Sequence, residues 1–94
     1  MIADSAEFRA KLFDLARELE KEYDRARADR ARARSRAAID RALIAMDELR
    51  EPIASVKRAS RPMPPLTAPS SRAAWNRARV RAAEILAARK GASS

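Results

Sequence analysis

A single glycine, Gly91, occurs in 94 residues, and this limits the chain more than any motif it carries. Tight turns and β-hairpins need residues that reach positive φ at little steric cost, and glycine is the main one. A strand-rich or loop-rich fold would have to be built without it. The chain is instead rich in Ala, Arg, Glu and Leu, the strongest helix formers. An all-α fold is the expectation.

The supply of core residues is the second constraint. Leu, Ile, Val and Phe together number 16, whereas 23 residues are Ala. That is below the fifth of the chain expected of an ordinary globular domain. Ala buries little area, so at about 25 cal/mol per Å² a core made largely of it supplies little stabilisation. A net charge of +8 adds self-repulsion that opposes a compact state. A chain so composed is expected to fold as an oligomer or on a partner rather than alone.

Two apolar stripes organise the first half. Asp4 and Glu7 have the spacing of a capping box and would open a first helix. Phe8, Leu12, Leu15, Leu19, Tyr23 and Ala26 then recur at steps of four and three, one face of a helix. Ile39, Ala42, Met46, Leu49, Ile53 and Val56 form a second stripe. At 100° per residue, Leu19 and Ile39 differ by about 200° in azimuth, so on one straight helix the stripes face nearly opposite sides. Either a long or kinked helix runs from about residue 4 to 51, or the chain breaks near Ser35 and folds into a hairpin. No Gly, Asn or Pro marks such a turn, which favours the long or kinked helix. The architecture expected is elongated, with coiled-coil or oligomeric pairing of that helix as one possibility.

Pro52 is expected to end or kink the helix, since it lacks the amide N–H and disfavours helix at Glu51. Four prolines in residues 59–71 read as an extended connector. Ser70 or Ser71 would cap a last helix over about 72–90, with Gly91 as its C′ residue. The organisation is therefore a long amphipathic and basic helical segment over 1–58, a Pro-rich linker over 59–71, and a basic C-terminal helix with a short tail over 72–94.

Charge is segmented along this plan, and three features could carry function. Arg25, Arg27, Arg30, Arg32, Arg34 and Arg36 crowd into about three helical turns. Such density destabilises an isolated helix, and phosphate oxygens or an acidic protein surface would relieve it. Lys57, Arg58, Arg61, Arg72, Arg77, Arg79 and Arg81 form a second basic group around the connector, with Arg89 and Lys90 beyond. Trp75 lies among them, either as an anchor in a partner's pocket or as the main packing residue of a helix short of large side chains. The third feature is an association face of Phe8, Leu12, Leu15, Leu19, Ile39, Met46, Leu49 and Ile53, with ordinary intramolecular packing as its alternative.

Catalysis has little footing. The chain lacks Cys and His, which removes disulfides, thiolate nucleophiles, most transition-metal sites and the usual base at neutral pH. No phosphate loop, dinucleotide-binding glycine pattern or nucleophile elbow occurs. No cofactor or metal is expected, no apolar run is long enough for a membrane span, and residues 1–4 lack a signal peptide's features. A cytoplasmic or virion-associated, non-enzymatic binding protein follows. Its first expected function is contact with nucleic-acid phosphates, with little sequence specificity and as an oligomer. The alternative is a structural or regulatory adaptor in a larger protein assembly, such as a virion or secretion-type component or a small protein inhibitor.

Overall fold

The computed structural model describes residues 6–92, and their secondary structure is entirely helical. Helix α1 spans Ala6–Arg32, α2 spans Arg36–Ala59, and α3 spans Pro69–Ala92. The molecule is elongated, with extents of 51 × 32 × 15 Å. The expected cap Asp4 lies outside the described residues.

The preferred continuous helix over 4–51 does not form. The chain breaks at residues 33–35 and reverses, so α1 and α2 pack as a hairpin. The turn needs no glycine because no residue in it has positive φ. Ser35 is extended (φ −108°, ψ 153°), and its hydroxyl accepts a hydrogen bond from the Ala38 amide at 3.1 Å. This side-chain cap satisfies one of the amides that the new helix leaves without a partner. The reversal also resolves the azimuth conflict. Stripes that would face opposite sides of one rod face each other across the hairpin.

Leu12, Leu15 and Leu19 of α1 meet Val56 and Ala59 of α2 in one core, with Phe8, Ala16, Leu49 and Ile53 packed around it. The stripe expected to drive oligomerisation is thus occupied, through these residues, inside the monomer. Ile39 and Met46, also expected on that face, are half-buried nearer the hairpin tip and lie outside this cluster. At the tip the buried residues are Ala26 and Ala42, whose small side chains let the two helices come close.

Three local boundaries differ from expectation. Pro52 neither ends nor divides α2, which continues through it to Ala59. Proline removes one amide donor there, while burial of Val56 and Ala59 beyond it favours continuing the helix. Helix α3 begins at Pro69 rather than after Ser71, because proline suits a first helical position, where the amide has no partner anyway. Gly91 lies inside α3 and has no positive φ, so it is not a C′ terminator.

Helix α3 docks on the hairpin with a face of mostly small residues: Ala78, Ala82 and Ile85 enter the shared core. Two directional bonds fix its register. The Trp75 indole Nε1 donates to the Arg61 carbonyl at 2.9 Å, and Arg79 Nε donates to the Ala59 carbonyl at 2.7 Å. Arg79 is only 2% exposed. Its guanidinium lies 4.4 Å from the Trp75 ring centroid and 5.1 Å from that of Phe8. A cation at a helix C-terminus is favoured by the partial negative charge of the last carbonyls, and a desolvated guanidinium over aromatic faces adds about 2 kcal/mol. Replacing Arg79 by Met is expected to lower stability by about 2–3 kcal/mol, and Trp75 by Ala by about 3–5 kcal/mol. Urea unfolding followed by far-UV circular dichroism measures both.

Candidate polyanion-binding surface

The expected basic residues divide into two groups at opposite ends of α2. At 1.5 Å per residue, the 24-residue helix separates its ends by about 35 Å. The first group is the hairpin tip. Arg25, Arg27, Arg30, Arg32, Arg34 and Arg36 are all exposed, and Arg41 joins them from α2. Asp29 and Asp40 are the acids among them. Asp29 pairs with Arg32 at 3.1 Å and Asp40 with Arg36 at 3.8 Å, leaving the excess charge of the tip largely uncompensated. The reversal gathers this charge: the run is bent around a turn, so its Arg side chains fan out from the tip on both sides.

The second group surrounds the connector. No acidic residue occurs between Glu51 and Glu84, whereas seven basic residues do. The structure assigns them different roles. Arg79 is internal. Lys57 is tied to Glu20 of α1 at 2.8 Å, and Arg81 to Glu51 of α2 at 2.7 Å and Glu84 at 3.6 Å. Arg58, Arg61, Arg72 and Arg77 remain at the surface or partly exposed. Arg58 and Arg61 line a groove with Pro62, Pro64, Ser70 and Ser71, and Trp75 also lines it. The partner-anchor expectation for Trp75 gives way to its packing role, since its ring is buried and its indole N–H bonded internally.

Between these poles lies an acidic waist, with Glu18, Glu20, Glu22 and Asp24 on α1, Asp47, Glu48 and Glu51 on α2, and Glu84 on α3. Arg89 of α3 is bound to Glu22 at 2.6 Å. Together with Lys57 and Arg81, it makes the waist a set of interhelical ion pairs. Most are solvent-exposed, so each adds little stability alone. Their effect on charge placement is larger, because Lys57, Arg81 and Arg89 are committed to waist acids, whereas at the tip only Arg32 and Arg36 of the seven Arg are paired with an acid among the described residues.

Sequence reasoning could not separate Arg79 from its neighbours, since residue type alone makes it one more surface Arg. The available signal was Trp75 four residues earlier, which puts a ring on the same helical face. Chemistry other than charge is sparse among the described residues. No group of His, Cys, Asp and Glu could hold a metal ion there, and no helix is long and apolar enough to cross a membrane. Grooves between the helices at the tip and the waist are open to solvent.

One titration is informative. The Glu51 carboxyl is held below the ordinary carboxylate range, first by the Ser55 hydroxyl at 2.6 Å and then by Arg81. The same bond raises Arg81. A lowered folded-state value means the ionised form is favoured by folding, so this contribution is complete above the ordinary carboxylate range. It is lost as pH falls through the lowered value. Glu51→Gln is therefore expected to lower the melting temperature at neutral pH and to converge with the parent in acid. Thermal melts across that range test it.

No known protein family, curated protein or solved structure matches the chain.

Proposed function

We propose that this chain is a non-catalytic protein that binds the phosphate backbone of nucleic acid, with little sequence specificity. The observation that carries the reading is the exposed hairpin tip, where seven Arg stand against two Asp over residues 25–41. Guanidinium groups match phosphate oxygens bidentately, and release of condensed counterions adds to affinity. The Arg side chains spread around the tip rather than lining one strip, which suits backbone contact better than base reading. Ala between them keeps the tip narrow.

A second reading, as an adaptor within a larger protein assembly, has its own observation in favour. Phe13, Leu43 and Ile44 are 57%, 44% and 56% exposed. Since Leu12, Leu15 and Leu19 are occupied internally, association with another copy or another protein has to use a different surface. Leu43 and Ile44, beside the basic tip, are its exposed apolar part.

Salt dependence separates the two readings. Binding to arbitrary duplex DNA and RNA is measured by fluorescence anisotropy over a range of salt. Phosphate binding gives an affinity that falls linearly in log–log form. Replacing Arg30, Arg32, Arg34 and Arg36 by Gln should flatten that slope by up to about 3.6, at about 0.9 per contact removed. The fold should survive, since all four are exposed. Absence of binding to either duplex at low salt leaves the adaptor reading.

A further inference from the structure

We infer that the molecule is a bridge, with its two basic poles holding two separate duplexes at once. This rests on the phosphate-binding reading above and goes beyond it, because a basic protein need not have two binding ends.

Three features lead there. The poles lie at opposite ends of α2, about 35 Å apart, several times the ~8 Å over which exposed charges interact at physiological salt. Each pole therefore acts on its own phosphates. The second feature is the waist. A duplex lying lengthwise across both poles would bring its phosphates against acids contributed by all three helices. On α3, where that contact would be least acidic, Arg81 is committed to Glu51 and Glu84, and Arg89 to Glu22. End-on contact at each pole avoids that repulsion. The third feature is rigidity. Leu12, Leu15, Leu19, Val56, Ala82 and Ile85 share one core, so the tip and the connector belong to one body, and α3 is no loosely tethered arm. A 20-bp duplex is far shorter than the ~150-bp persistence length of DNA, so it cannot curve around the body to touch both ends.

The poles differ in build. The tip presents Arg27, Arg30 and Arg34 from the end of α1 and the turn. The connector pole presents Arg58 from the end of α2, Arg61 from the connector just after it and Arg77 from the first half of α3. They can be disabled separately, since none of the six side chains has an ion pair among the described residues.

The test is a sandwich capture. A biotinylated 20-bp duplex is fixed on beads, and a second, fluorescent 20-bp duplex is captured through the full chain at low salt. DNA is used in one arm and RNA in a parallel one. Single-duplex anisotropy and circular dichroism accompany each variant. The parent chain should capture the second duplex in at least one arm. R27Q/R30Q/R34Q and R58Q/R61Q/R77Q should each retain single-duplex binding through the remaining pole yet lose at least tenfold in capture. Binding by the parent without capture would overturn the bridge and leave the phosphate-binding reading standing. Parent-level capture by both variants would overturn it too, by showing that bridging comes from association of copies. No binding at all would remove both readings.

Discussion

The arrangement depends on one buried cation. Arg79 donates to the carbonyl of Ala59 at the end of α2 and places its guanidinium between the rings of Phe8 in α1 and Trp75 in α3. One side chain thereby touches all three helices. Withdrawing a charge from water is costly unless it finds partners, and here the partners are a helix C-terminus and two ring faces. Lysine would offer no planar surface for the rings and no fixed fork for the carbonyl. Trp75 and Ile85 flank the docking face of α3, but Ala78 and Ala82 leave its middle without the bulk to choose a register by shape. The direction of two bonds, from Arg79 and Trp75, sets it.

That closure changes what the scarcity of large apolar residues means. The buried Leu, Ile and Val side chains, Leu12, Leu15, Leu19, Val56 and Ile85, are concentrated where all three helices meet. The tip beyond has Ala26 and Ala42 as its buried contacts. Small side chains are enough to hold two antiparallel helices side by side, and they leave the surface to Arg. The end with the thinnest core thus carries the densest charge.

Much of this was legible in the residues. The helical class, both stripes, the proline connector and the charge blocks follow from composition and period. The sequence admits the hairpin but has no Gly, Asn or Pro to mark its turn, which weighs against it, yet the turn uses Ser35 in an extended conformation and needs none of them. A serine cap is a weaker cue than Gly or Pro, since serine occurs in many settings. Pro52 misled for the opposite reason: its local cost is fixed, whereas the burial gained by continuing to Val56 and Ala59 depends on partners distant in sequence. The role of Arg79 was out of reach for the same reason. Its partner is a main-chain carbonyl twenty residues away, and carbonyls carry no sequence signature.

The claim that α3 is locked to the hairpin through Arg79, and is not an appended arm, is tested most directly by native-state hydrogen exchange. The amides of residues 12–19, 53–59 and 78–85 should open together at the free energy of global unfolding, while the alanine-packed tip around 26–42 opens at lower cost. Exchange of 78–85 at the rate of an isolated helix, with 12–19 and 53–59 still protected, would contradict it.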